Sequence, residues 1–330
     1  MKKILQLLFE HKTLGREQAK EVMLNMAKGS YNDTEIAAFI TVYLMRSITI
    51  DELQGFTDGL LELCVPVDLN GHAVVDIVGT GGDGKNTFNI STLACFLVAG
   101  AGHKVAKHGN YGASSMSGAS NVMESLGYRF KNHNDQLKRE VEEANICFMH
   151  APLFHPALKT VASVRKNLGM RNFFNMLGPM VNPAKPAYQL VGVYSLEMAR
   201  IYTYLLQQTG RSFTIIHSLD GYDEVSLTND TKVITNEGEK IFTPEQLGKR
   251  LVTSTDISGG NSVEDAAKIF MRVLKGDGSW AQNAVVLANA AMALQGTGGY
   301  GSYDAAYNAA VESLESGKAY QCFQKLISLQ

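Results

Sequence analysis

Between Val75 and Thr92 the chain reads VDIVGTGGDGKNTFNIST: a β-rich apolar run, a glycine-rich turn, then the start of a helix. That order offers free backbone N–H groups and the positive end of a helix to an anion. Gly79, Gly81 and Gly84 satisfy the GxGxxG spacing of a dinucleotide loop, which also needs an acidic residue about 20 positions on for the ribose. No Asp or Glu occurs from Gly84 to Met123, so the dinucleotide reading fails. Gly79 to Asn86 nearly spells a Walker A loop. Asn86, however, stands where Mg²⁺ needs a hydroxyl, and Asp83 would lie among the phosphates. A bare strand–helix turn is the remaining alternative. The acid-free stretch carries Lys85, Lys104, Lys107, His108 and many hydroxyls, and suits a polyanionic ligand better. Asp83 then partners a ligand hydroxyl or a metal-bound water.

AKHGNYGASSMSGASN (106–121) follows the next β-like run. Its Ser/Gly portion can form a second anion loop, one that pairs with the first as the other wall of a cleft. Asp223 and Glu224, adjacent carboxylates after Gly221, read either as a solvated turn or as oxygen ligands for a hard divalent cation. Arg165, in VASVRKNLGM, reads as a helix-surface charge or as a planar fork for a carboxylate. His150 and His155 lack HExxH spacing, so no zinc site follows.

These residues need elements to hold them. The first 65 residues read as helical, with an apolar stripe beginning at Leu5, Leu8 and Phe9. Asn32 with Glu35, and Thr49 with Glu52, have the spacing of helix starts whose side chains cap one another. From residue 72 the period changes. Short strands at 73–78, 104–106, 146–149, 190–194 and 213–217 alternate with a helix-like stretch from Ser91 and helices at 121–126, 135–144 and 196–208. Residues 232–242 read as a hairpin, and the tail from Val263 is mostly helical. Strands alternating with helices give an α/β layer with a largely parallel sheet, preceded by a small all-α part.

Composition bounds the function. The chain has 330 residues, 45% hydrophobic and 19% charged, with a formal net charge of −2. That apolar mass supports a packed core, and the charge balance does not point to nucleic acid or an anionic membrane. The longest apolar stretch, Leu93 to Gly102, is half the length of a membrane span, and Gln6 and Glu10 break the N-terminal run too early for a signal peptide. Four cysteines make neither a disulfide framework nor a CxxC metal site, which suits a cytoplasmic protein.

Five ordered motifs carry a resemblance: GTGGD with TFNIST, KHGN, FFNMLGPMVNP (173–183), QLVGVYS (189–195) and Asp223-Glu224. Over almost its whole length the chain resembles the anthranilate phosphoribosyltransferase family. The resemblance implies a small helical domain (1–70, completed by about 166–188) and an α/β domain (71–165 and 189–330), with the active site in a cleft between them. It implies transfer of a phosphoribosyl group from phosphoribosyl pyrophosphate to anthranilate in tryptophan biosynthesis, with Mg²⁺, two ions per site, and a homodimer formed through the helical part. Phosphoribosyl pyrophosphate is expected at Gly79, Gly82, Asp83, Thr87, Asn89, Ile90, Ser91, Thr92, Lys107, His108, Gly109, Asn110, Tyr111, Gly112, Ala113, Ser114, Ser115 and Ala119. Anthranilate is expected at Gly79, His108, Asn110, His155, Arg165, Gly178 and Pro179, and magnesium at Ser91, Asp223 and Glu224. Lys107, His108 and Asn110 are expected to position the reacting groups, with no residue required as a general base.

The chain also departs from the family pattern. Tyr111 stands where arginine is common, Met116 interrupts the serine run, and SGASN (117–121) replaces the usual SGSAD. Two alternatives stay open at this point. A pyrimidine nucleoside phosphorylase shares the build and the glycine-rich loop, and a non-catalytic, nucleic-acid-binding relative would keep the fold alone.

Overall fold

The computed structural model describes residues 1–112, 117–247 and 250–330. The chain path begins with α1 (Lys2–Phe9), α2 (Arg16–Ala27), α3 (Asp33–Met45) and α4 (Ile50–Glu62), then β1 (Val74–Gly79), α5 (Ile90–Gly100) and β2 (Lys104–Gly109). It continues through α6 (Ala119–Ser125), α7 (Asn134–Ala144), β3 (Ile146–His150), α8 (Ala151–Phe154), α9 (Ala162–Leu168), β4 (Tyr188–Gly192), α10 (Leu196–Gln207) and β5 (Ser212–Ser218). The hairpin β6 (Thr231–Thr235) and β7 (Gly238–Phe242) precedes α11 (Val263–Leu274), α12 (Trp280–Gly296), α13 (Tyr303–Glu315) and α14 (Lys318–Ser328).

Two compact units result. One comprises Met1–Val67 and Ala151–Lys185 and is helical. The expected caps form: Asn32 Oδ1 accepts from the Glu35 N–H at 2.9 Å, and Thr49 Oγ1 from the Glu52 N–H at 3.2 Å. α2 and α4 cross closely because α4 presents Gly55 and Gly59; a Cβ on Gly55 would overlap the Arg16 carbonyl. Phe39, Tyr43, Phe56 and Phe173 form an aromatic cluster, with Phe56 and Phe173 centroids 4.7 Å apart. The return segment begins at Ala151, earlier than the 166 expected from sequence. Residues 151–165 belong here and not to the α/β part, because the Val65 N–H donates to the Phe154 carbonyl at 2.8 Å and the 3₁₀ turn Pro156–Lys159 packs on α2.

The second unit, Asp68–His150 with Pro186–Gln330, holds a seven-stranded sheet in the order β3-β2-β1-β4-β5-β6-β7. β3 to β5 run parallel, while β6 and β7 add an antiparallel edge. After β1 the chain builds outward through β2 and β3, then crosses back to lay β4 on β1's other side. The β1–β4 boundary is therefore the point where strand order reverses, the place where open α/β sheets bind ligands beyond their carboxyl ends. α5 and α12 pack on the strands flanking this boundary. α5 (ISTLACFLVAG) is apolar nearly all round and buried accordingly, and α12's small residues let α13 approach.

Candidate active site

β1 and β4 end side by side, with Gly79 opposite Gly192. Both must be glycine because of what lies above them. A Cβ on Gly79 would overlap the Asp223 carboxylate, and one on Gly192 the Asp223 carbonyl. The glycine turn then runs from Thr80 to Asn86 with positive φ at Gly81, Gly82, Gly84 and Asn86 (48° to 81°), a region that L side chains other than Asn and Asp seldom enter. Asn86, which spoiled the Walker A spelling, thus serves the backbone. Its amide donates to the Gly260 carbonyl at 2.9 Å. Asp83 Oδ1 accepts from the Lys85 N–H at 3.0 Å, and Lys85's ammonium lies 4.6 Å from the centroid of the Tyr222 ring.

Asp223 and Glu224 are buried at this turn, so the solvated reading of the pair is wrong. Asp223 Oδ2 accepts from the Gly81 N–H at 2.7 Å. Glu224 Oε1 accepts from the Ser91 N–H at 3.0 Å and from its hydroxyl at 2.8 Å, at the N-terminal end of α5. Burial pushes both carboxyl groups above the ordinary carboxylate range; Asp83's charge adds to the rise at Asp223, and Asp223's to that at Glu224. Two desolvated carboxylates side by side are costly unless a cation joins them. Their oxygens and the Ser91 hydroxyl are the hard donors a divalent cation of the Mg²⁺ type takes. Among the described residues no group of three or more His, Cys, Asp or Glu is arranged to hold an ion alone. A cation here therefore completes its shell with water and ligand oxygens, as Mg²⁺ characteristically does.

Around the turn three buried polar atoms have no hydrogen-bond partner among the described residues: Thr80 Oγ1, Asn89 Oδ1 and Ser117 Oγ. Buried hydroxyl and amide oxygens without partners are what a bound polar ligand satisfies. Asn89 stands at the N-cap position of α5 without a side-chain capping bond, and Thr87 Oγ1 lies 3.5 Å from Glu224 Oε2. Ile90 and Thr92 are buried, so what Ile90 can offer an anion is its backbone. Sequence reasoning missed Thr80, Ser117 and Gly192. For Gly192 a signal existed, a glycine closing an apolar β run, but only the β1–β4 pairing gives it meaning.

β2 delivers the second loop. Lys107 is buried, and its ammonium donates to the Ile77 carbonyl in the neighbouring strand, so the lysine side chain serves the sheet. His108 is buried too; its N–H lies 3.4 Å from Asp76 Oδ1, whose other oxygen accepts from Gln189. Gly109 ends β2, and Asn110 is exposed. Tyr111, where the resemblance has arginine, donates its hydroxyl to Glu124 at 2.9 Å and sets its ring edge-on to His150 at 4.6 Å. Gly112 is exposed and Ala119 opens α6. Ala113, Ser114 and Ser115, with Met116, lie outside the described residues.

The remaining expected residues belong to the helical unit. Arg165 on α9 is largely buried with its guanidinium 5.2 Å from the centroid of the Phe174 ring. Its Nε has no hydrogen-bond partner among the described residues, and burial alone lowers its pKa. A desolvated arginine with no carboxylate at hand is a receptor for one. His155 is 1% exposed, and burial pushes its pKa down to about 4, outweighing the backbone hydrogen bonds to Val181 and Leu60 that act to raise it. Gly178 and the buried Pro179 form a 3₁₀ turn, Gly178–Met180, after the turn bearing Phe174.

A helical bundle joined to an α/β sheet whose switch point carries a phosphate-suited glycine turn and two buried carboxylates is the build of an enzyme that transfers a phosphorylated sugar. Two family models match accordingly: "Glycosyl transferase family, helical bundle domain" over residues 2–64 and "Glycosyl transferase family, a/b domain" over residues 71–320. The chain is 56% identical over 329 residues to the anthranilate phosphoribosyltransferase of Christiangramia forsetii, covering 100% of this chain and 99% of the relative. Among solved structures it is similar to anthranilate phosphoribosyltransferase from Thermus thermophilus (TM-score 0.92, 31% identity, 98% of each chain). It is also similar to the Saccharomyces cerevisiae enzyme in complex with PRPP and Mg (TM-score 0.91, 27% identity, 98% of this chain and 96% of that one). The chain belongs to the anthranilate phosphoribosyltransferase family.

Proposed function

We propose that this protein transfers the 5-phosphoribosyl group of phosphoribosyl pyrophosphate to the amine of anthranilate, releasing pyrophosphate, as a step of tryptophan biosynthesis. The observation that carries the reading is the buried Asp223–Glu224 pair set against Gly79, Gly81 and Ser91 at the sheet's switch point. When bound there, Mg²⁺ neutralises charge on the departing pyrophosphate. Asp223, Glu224 and Ser91 would hold that metal, and two ions per site are part of the same proposal.

The glycine-turn N–H groups, Thr87, and Asn89 to Thr92 receive the phosphoribosyl substrate, joined by the backbone of 107–112. Arg165 pairs with the anthranilate carboxylate, with His155, Gly178 and Pro179 lining the approach. At the anomeric carbon the C–O bond to pyrophosphate breaks as the C–N bond forms. The amine proton leaves once bonding makes the nitrogen acidic, so positioning and charge stabilisation do most of the work. We further propose a cytoplasmic homodimer. Phe9, Leu44 and Met45, exposed on the helical unit, offer apolar side chains to a second copy, and the free cysteines suit a reducing compartment.

The test is the loss of anthranilate fluorescence on adding phosphoribosyl pyrophosphate with Mg²⁺. Phosphorolysis of uridine or thymidine in place of that signal would refute the proposal.

A further inference from the structure

Gly112, after β2, and Gly118, before α6, form a neck whose two ends are held by one atom. Asn121 Oδ1 accepts from the Gly112 N–H at 3.1 Å and from the Gly118 N–H at 3.0 Å. The ends touch: a Cβ on Gly118 would overlap the Gly112 backbone. Three further contacts fasten this neck. The Ser120 N–H lies 3.4 Å from the Asn110 carbonyl, Ser120 Oγ bonds His150 Nδ1 at 2.9 Å, and Asn89 Nδ2 donates to the Ser117 carbonyl at 3.1 Å. The last is the informative one, since Asn89 immediately precedes α5, two residues before Ser91, which bonds Glu224. Through it the neck joins the second loop to the glycine-turn side of the site.

From this arrangement we infer that Asn121 is a positioning residue for the phosphoribosyl substrate. It touches no substrate itself, but as a double acceptor it sets Gly112 and Gly118, and through Ser117, the residue before Gly118, the amide of Asn89. The inference rests on the proposed function and adds to it the residue that brings the two phosphate-facing loops into register. What the geometry requires at 121 is an acceptor oxygen at that reach. Aspartate keeps the oxygen, while alanine removes it and leaves two N–H groups without their partner.

The test is a comparison of Asn121→Ala and Asn121→Asp with the wild type, using steady-state kinetics and calorimetric titration with phosphoribosyl pyrophosphate and Mg²⁺. Asn121→Ala is expected to raise KM and Kd for phosphoribosyl pyrophosphate by roughly tenfold, with kcat per folded molecule and KM for anthranilate within about twofold. Asn121→Asp is expected to restore both constants to within about twofold of wild type. A general loss of folded protein would lower the active fraction without moving Kd, so the titration separates that effect from positioning. Unchanged Kd in Asn121→Ala, or an Asn121→Asp variant as impaired as the alanine one, overturns the inference alone. Failure of the wild type to bind phosphoribosyl pyrophosphate overturns the proposed function and the inference with it.

Discussion

Arg165 is a cation that folding has taken out of water and set on an aromatic face, without a carboxylate of the described chain to meet it. Arg165→Ala should therefore raise KM for anthranilate far more than KM for phosphoribosyl pyrophosphate. Losing one partner of a desolvated, charge-assisted pair costs about 2–5 kcal/mol, more than tenfold in kcat/KM. Arg165→Lys should recover part of it, since a point charge lacks the fork. Wild type should discriminate strongly against aniline, which has no carboxylate, and the alanine variant much less; equal weakening of both substrates would return Arg165 to a structural role. Asp223 and Glu224 show the opposite economy, holding charge that the fold alone does not compensate. Asp223→Asn with Glu224→Gln should leave the ligand-free protein at least as heat-stable as wild type while turnover and apparent Mg²⁺ affinity collapse. An unchanged magnesium titration in that double variant would remove the pair from the metal site.

At the scale of elements, Glu52 shows how a cap becomes a hub. It is 0% exposed, yet it starts α4 and also accepts from the Leu14 N–H at 3.0 Å, the Tyr43 hydroxyl at 3.1 Å and Arg46 at 2.6 Å. Burial raises its pKa, but the Arg46 and backbone N–H bonds outweigh this, so the folded value lies below the ordinary one. Its contribution is present above the unfolded value of about 4.3 and is lost as pH falls through the folded value. Glu52→Ala should cost about 3 kcal/mol near neutral pH. The gap between denaturant melts of wild type and variant should narrow as pH falls from about 4.3 through the folded value; a gap that stays constant throughout acidification would show that the charge is not what stabilises.

For the whole molecule, burial lowers the pKa of His103, His150 and His155, the last to about 4. An unfolded histidine titrates near 6.5, so between about pH 6.5 and 4 the unfolded chain binds protons that the native state refuses. For His155, stability falls on acidification through that window by up to about 1.4 kcal/mol per pH unit, and His103 and His150 act in the same direction. Asp223 and Glu224, with raised values, act in the opposite direction, so the clean comparison is between wild type and His155→Leu, which share the pair. The melting temperature of wild type should drop more between pH 7.5 and pH 5 than that of the variant. Parallel pH profiles would mean that His155 is charged in the native state.

Local signals were legible in the sequence because they are carried by neighbouring residues. The Asn32 and Thr49 caps, the strand–helix alternation, the 232–242 hairpin and the glycine turn each rest on propensity and spacing within about ten residues. The ordered motifs carried the family for the same reason. What distance in sequence hides was decided by tertiary structure. Asp223 and Glu224 also read as a solvated turn until tertiary structure laid Asp223 over Gly79 and Gly192, where β1 and β4 end side by side, and Glu224 on Ser91. Lys107 read as a phosphate ligand until strand pairing placed its ammonium on the Ile77 carbonyl. Residues 151–165 read as sheet-associated until Phe154 bonded Val65. A residue's type fixes which chemistry it can do. Whether that chemistry faces a ligand or the fold depends on burial and on partners far along the chain, which packing alone brings together.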